Sequence, residues 1–151
     1  MDKINAVLSR IQGQRVYVDT NIFVYFFEQH ERYFDAVVLF FKLFNSGLSL
    51  AYTGDAVVAE ILYRPYQLND MVRVSEIKIF FGDAEMITVL PHSTKVFELA
   101  AELSPKRGMK LIDALHYATA AIAGCSFILT NDAGFSSGGE IEVIYLNDLC
   151  K

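Results

Sequence analysis

Basic residues are the first shortage in this chain. Its 151 residues hold 13 Lys and Arg against 18 Asp and Glu, a formal net charge of -5. There is no global basic footprint for gripping nucleic acid, so any such contact must come from local Lys/Arg clusters or through bound cations. Cysteine is nearly absent: Cys125 and Cys150 are the only two, and they stand in no metal-ligand spacing. That argues against a disulfide framework and suits a reducing cytoplasm. With three histidines in all, a nitrogen- and sulfur-rich zinc centre has little to draw on. The opening "MDKINAVLSRIQGQR" lacks the apolar core of a signal peptide. One stretch, 111–130, has the length of a membrane span, but it carries Asp113 and His116 near one end and Gly124 further on. It reads as a buried helix followed by a buried strand. Repeats, low-complexity runs and interdomain linkers are also missing.

What is there is apolar and periodic. At 53% hydrophobic and 21% charged the chain must fold, and its length suits one domain, 1–151, with one core. Ile4, Val7, Leu8 and Ile11 recur at helical spacing, which predicts an N-terminal helix over 2–12 ended at Gly13. The pattern then predicts a strand at 16–19, a helix from near Asn21, and a helix over 32–45 stopped by "NSG". A strand at 48–53 leads into a short helix closed by Pro65. A helix over 67–81, a strand at 86–90 and a helix capped by Ser93 follow. "SPKRGMK" reads as a loop, 111–123 as a buried helix, and 126–130 and 142–146 as the last strands.

Strands alternating with helices imply an α/β fold with a parallel sheet covered on both faces. In such sheets ligands bind beyond the carboxyl ends of the strands. Asp19 ends the first predicted strand, and Asn131 and Asp132 follow the strand 126–130. Glu60 lies in apolar "AVVAEIL", and Asp113 in "LIDALHYATAAIAG", a helix apolar nearly all round, with His116 and Tyr117 on the same face. Judged singly, each acid has an ordinary explanation. Asp19 is a helix cap, Glu60 a partly exposed helix residue, Asp113 a first-turn acid and Asp132 a turn residue. Together they repel one another at one sheet edge, which calls for raised pKa values or a cation. Oxygen donors without nearby cysteine suit a hard ion, Mg²⁺ or Mn²⁺, of the kind used in phosphate chemistry.

"VYVDTNIFVYFF", "TGDAVVAEILYRP" and "LIDALHYATAAIAGCSFILTND" resemble the successive signatures of PIN-domain ribonucleases. Length and surrounding residues are most similar to the VapC-type toxins of toxin–antitoxin pairs, over roughly 15–146. The specific part is four acids in order, with E-x-x-x-x-P and D-A-x-x-x-A-x-A around two of them. The resemblance implies a PIN-like three-layer α/β/α sandwich. It also implies a metal-dependent endoribonuclease whose acidic cluster is Asp19, Glu60, Asp113 and Asp132. Asp19, Asp113 and Asp132 would hold Mg²⁺ or Mn²⁺, while Glu60 is a ligand through water or orients the nucleophile. Asn21 matches a residue that caps the next helix and touches the scissile phosphate, and Thr130 and Asn131 match the polar pair before the last acid. The chain departs from the family at Gly54, where serine is frequent, and at Ala133 and Gly134, where a basic residue is frequent.

Lys106, Arg107 and Lys110 form the densest basic cluster, with phosphate contact and a solvated loop as the competing readings. His116 reads as a satisfied buried histidine. Phe34, Phe40, Phe41, Phe44, Phe80 and Phe81 exceed what one buried face needs, which predicts a homodimer beside an antitoxin partner. The expected location is the cytoplasm, with no membrane contact. Alternatives are a stand-alone RNA-processing nuclease and a binding module that has kept the fold. A phosphatase with Asp19 as nucleophile is disfavoured, because Asn21 occupies the place of its second acid.

Overall fold

The computed structural model describes residues 2–82, 85–135 and 139–150. After helix α1 (Lys3–Arg10), strands alternate with helices as the hydrophobic pattern predicts. The elements are β1 (Arg15–Val18), α2 (Thr20–Phe27), α3 (Phe34–Asn45), β2 (Leu50–Gly54), α4 (Asp55–Gln67) and α5 (Met71–Gly82). They continue with β3 (Ile87–Leu90), α6 (Thr94–Arg107), α7 (Leu111–Ile122), β4 (Phe127–Thr130) and β5 (Glu142–Tyr145). The five strands pair in the order β3-β2-β1-β4-β5, every pair parallel. Val16 therefore sits between Ala51 and Phe127, and Tyr17 between Tyr52 and Ile128.

Side chains alternate across a strand, and here both faces are buried. Val16, Val18, Ala51, Ile87, Leu129 and Ile144 face one core, packed with residues of α1 to α5. Tyr17, Ile128 and Val143 face the other core, which α6 and α7 cover. The result is the three-layer α/β/α sandwich implied by the motifs.

Two prolines lie inside helices rather than at the breaks their sequence context predicts. Pro65 does not close α4, which runs to Gln67, and Pro105 does not open a loop, because α6 runs to Arg107. Each proline is the third residue from the end of its helix, where the missing N–H removes only one ladder bond. Buried Ile61 and Ala100 anchor these helices further back. Lys106 and Arg107 are thus the last turn of α6, and only Lys110 lies in the connection.

The phenylalanines also differ from the expectation. Phe40, Phe41 and Phe44 are buried, and half-buried Phe34, Phe80 and Phe81 pack in the same aromatic layer over α2. The helix α2, "TNIFVYFF", presents apolar side chains on more than one face, so α3 and α5 must bury them from two sides. The surplus is core rather than an exposed patch. No helix among the described residues is long and apolar enough to cross a membrane.

Candidate active site

Parallel strands deliver their carboxyl ends to one edge, and the acids collect there. Backbone pairing of Asp19 N–H with Leu129 O at 3.0 Å carries the β1–β4 ladder one residue past β1. The chain then turns into α2 with Asp19 as its N-cap, one carboxylate oxygen accepting from Thr20 N–H at 2.8 Å. The other oxygen accepts from the Thr130 hydroxyl at 2.7 Å and from Asn21 Nδ2 at 3.3 Å. The cap reading and the functional reading of Asp19 are therefore compatible. It is 5% exposed, and burial raises its pKa even though the charge and hydrogen bonds of His116, Thr130 and Thr20 pull the other way.

Asn21 is not the cap. Its Oδ1 accepts from Asn131 N–H at 3.1 Å, and its Nδ2 also lies 3.4 Å from Thr130 Oγ1. Asn131 in turn donates to the Tyr25 hydroxyl at 3.2 Å and accepts from Asn147 N–H at 2.7 Å. The Thr130 hydroxyl also receives Asp132 N–H at 2.9 Å. Residues 19–21 and 130–132 are thereby tied together by polar side chains.

Asp113 enters from the first turn of α7, where it is 6% exposed. A Cβ placed on Gly134 would run into Asp113 Oδ2 and lie 3.0 Å from Asp132 Oδ1, so both carboxylates crowd one point of backbone. Gly134 N–H donates to Asp132 Oδ1 at 2.8 Å. The glycine, where the family often has basic side chains nearby, leaves room for that approach. Burial lifts the Asp113 pKa to about 6, with the neighbouring Asp132 and then Asp19 adding to the rise.

Glu60, near the middle of α4, joins from the side. Its Oε1 accepts from the Thr20 hydroxyl at 3.1 Å and lies 2.8 Å from His116 Nε2. Burial pushes its pKa up, but the hydrogen bond and charge of His116, helped by Thr20, hold it below the ordinary glutamate value. The satisfied-histidine reading of His116 holds, since its Nδ1 lies 2.7 Å from the Tyr17 hydroxyl.

The basic residues divide. Lys106 is exposed and pairs with Glu102 at 3.9 Å. The Arg107 guanidinium lies over the Tyr117 ring, 4.5 Å from its centroid, one helical turn beyond Asp113. Lys110 is the exposed N-cap of α7.

His92 was not singled out by sequence. Its side chain is 6% exposed, its Nδ1 lies 2.7 Å from Thr119 Oγ1, and its ring with the Tyr17 hydroxyl fills the space a side chain at Gly54 would need. A serine there has no room, which explains the departure at Gly54. No local spacing links positions 54 and 92.

Among the described residues no group of three or more His, Cys, Asp or Glu side chains is gathered closely enough to enclose an ion. The carboxylate pair and nearby Asp19 form an acidic edge at which Asp19 and Asp113 are buried and Asp132 is partly exposed. One or two carboxylates beside water and phosphate are the usual donor set for Mg²⁺.

Similar proteins share this frame. "Ribonuclease VapC1" of Aquifex aeolicus (strain VF5) is 24% identical over 143 residues, covering 93% of this chain and 96% of its own. The crystal structure of VapBC2 from Rickettsia felis, bound to a DNA fragment from its promoter, superposes with a TM-score of 0.68 at 18% identity. It covers 87% of this chain and 98% of its own. Mycobacterium tuberculosis VapC20, described as a sarcin-ricin loop cleaving toxin, gives 0.58 at 16% identity, over 81% and 90%. These two structural likenesses establish the fold. The PIN domain family profile matches residues 16–140, most of the chain and all four acids. With that match, over strands and acids in this arrangement, the chain belongs to the PIN domain family.

Proposed function

We propose that this chain is an endoribonuclease working with a bound divalent cation, Mg²⁺ or Mn²⁺, as the toxin of a VapBC-type pair. The observation that carries the reading is the crowding of Asp113 and Asp132 at Gly134, with the Asp113 pKa raised to about 6. Two carboxylates pressed together without a cationic side chain between them suit a hard cation. The ribonuclease and toxin character of the relatives supports the same conclusion.

Asp113 and Asp132 would hold the ion, with Asp19 adding to the anionic field. When bound, the cation supplies a nucleophilic hydroxide near neutral pH and screens charge growing on the phosphate. Glu60 orients the attacking water. Asn21, Thr130 and Asn131 keep the carboxylates in register and border the scissile phosphate. Lys106, Arg107 and Lys110 contact the RNA backbone on the α6–α7 side.

The chain acts as one cytoplasmic domain, restrained by a small antitoxin protein. The homodimer passes to a different surface from the phenylalanines. Exposed Phe97, Leu111 and Ile112 line an apolar groove of about 420 Å³ between α6 and α7. Light scattering at micromolar concentration should give a dimer mass; a monodisperse monomer contradicts it.

The test of activity is total RNA incubated with the purified chain in Mg²⁺, Mn²⁺ or EDTA, with new ends mapped by sequencing. Internal cuts that vanish in EDTA are expected. Absence of cuts with either cation, or cuts indifferent to EDTA, would overturn the reading.

A further inference from the structure

His116 has a part in the site that its spacing from Asp113 does not reveal. Its ring is buried, and both nitrogens are engaged: Nδ1 with the Tyr17 hydroxyl at 2.7 Å, Nε2 with Glu60 Oε1 at 2.8 Å. Tyr17 is itself buried on β1, against the Gly54 backbone. Burial disfavours a charged ring, but the Glu60 hydrogen bond and the charges of Asp19, Glu60 and Asp113 outweigh it and raise the His116 pKa, which favours a proton on both nitrogens. In the charged ring, and equally in a neutral ring whose Nδ1 accepts from the Tyr17 hydroxyl, Nε2 carries a proton toward the Glu60 carboxylate. On the far side the Thr20 hydroxyl donates to the same Oε1. Both contacts fall on one oxygen of Glu60, and Oε2 accepts no hydrogen bond from the described residues. The Glu60 side chain is otherwise 38% exposed on a helix, where a glutamate usually samples several rotamers.

We propose that His116, held between Tyr17 and Glu60, is a positioning residue. With Thr20 it clamps Oε1 of Glu60 so that Oε2 stays free to accept from the attacking water. The inference rests on the ribonuclease reading but gives roles to Tyr17, Thr20 and His116, which lie outside the acidic set. An orienting hydrogen bond of this kind is worth about 10- to 100-fold in activity when it supports a reactive group. The three residues span positions 17, 60 and 116, and the fold alone brings them together.

The experiment combines substitution with nitrogen NMR. His116→Gln can still present an N–H toward Glu60, whereas His116→Asn is too short to reach it. We expect His116→Asn to lower kcat by roughly 10- to 100-fold with KM nearly unchanged, and His116→Gln to restore most of the loss. In a Glu60→Gln background His116→Asn should cost little more, since the pair acts as a unit. Equal losses in the Asn and Gln variants, or a full added loss in the Glu60→Gln background, would overturn the clamp. The NMR measurement, on metal-free wild type, needs no substitution at position 116. It should find the proton on Nε2, with the Nε2 signal moving in Glu60→Gln and the Nδ1 signal in Tyr17→Phe. Wild type that cleaves RNA with Nε2 unprotonated removes the clamp alone. Wild type that shows the Nε2 contact but cleaves nothing removes the ribonuclease reading, and the positioning role with it.

Discussion

The two sides of the acidic edge are built on opposite principles. At Asp19 every contact satisfies the carboxylate: Thr20 N–H, the Thr130 hydroxyl and the Asn21 amide all donate to it. Asp113 and Asp132 both crowd the backbone at Gly134, Asp132 helps raise the Asp113 pKa, and Gly134 N–H is a donor to Asp132. Hydrogen bonds hold the first side and offset part of the cost of burying Asp19, whose pKa is still raised, whereas the second side has little to offset its repulsion when both acids are ionised. A site that holds a cation needs both kinds of group. One sets the geometry in advance, and the other supplies unsatisfied charge.

The largest expected effect separates these two sides through cleavage. Asp113→Asn removes a charge the cation needs, and its RNA cleavage should fall by more than the roughly 100-fold upper range for outer-shell groups. A variant retaining a tenth of wild-type activity would make Asp113 only a first-turn helix acid. Next comes stability at the satisfied side. Asp19→Ala removes a helix cap and strands the Thr130 hydroxyl, at a cost of about 1–3 kcal/mol in urea unfolding. The loss should already be present in EDTA, where no cation contributes. A neutral result would mean that the hydrogen bonds do not hold this corner.

Gly134→Ala sharpens the comparison by separating the crowded pair without touching its charge. Its Cβ must displace the Asp113 carboxylate, so Mn²⁺ affinity measured by calorimetry should drop by about 10-fold, as for other displaced support groups. Because residue 134 is exposed, the melting temperature should hardly change. Unaltered Mn²⁺ affinity would show that the two carboxylates need not converge. The smallest effect concerns salt. Replacing Lys106, Arg107 and Lys110 by Ala should flatten the salt dependence of RNA binding by up to about three units of slope. An unchanged slope returns them to a solvated surface.

Much of the frame was legible because both sheet faces are buried, so short apolar strands and amphipathic helices leave clear periodic marks. The same pattern put Asp19 and Asp132 at strand ends and Asp113 in the first turn of a helix, while the resemblance joined them with Glu60 as one acidic cluster. What stayed hidden depended on contacts distant in sequence. The clash with His92 that requires glycine at 54, the crowding of Asp113 and Asp132 at Gly134, and the His116–Glu60 contact have no local signature. Pro65 and Pro105 misled because a proline near a helix end loses one hydrogen bond, which tertiary packing outweighs. The phenylalanines misled because α2 needs covering on several sides.

Most direct is the melting temperature of wild type and Asp113→Asn, each with EDTA and with Mn²⁺, across pH. The Asp113 pKa is raised from 3.8 to about 6 in the folded chain. Its contribution is therefore full below about pH 4 and is lost as pH rises through about 6. At pH 7.5 in EDTA, Asp113→Asn should melt no lower than wild type, with a gain of roughly 2–4 °C per kcal/mol relieved. Its decline between pH 4 and 7 should be flatter. Mn²⁺ should raise wild type clearly and the variant much less. Equal destabilisation of the variant in EDTA and in Mn²⁺, with the same Mn²⁺ shift in both proteins, would contradict a cation-holding acidic centre.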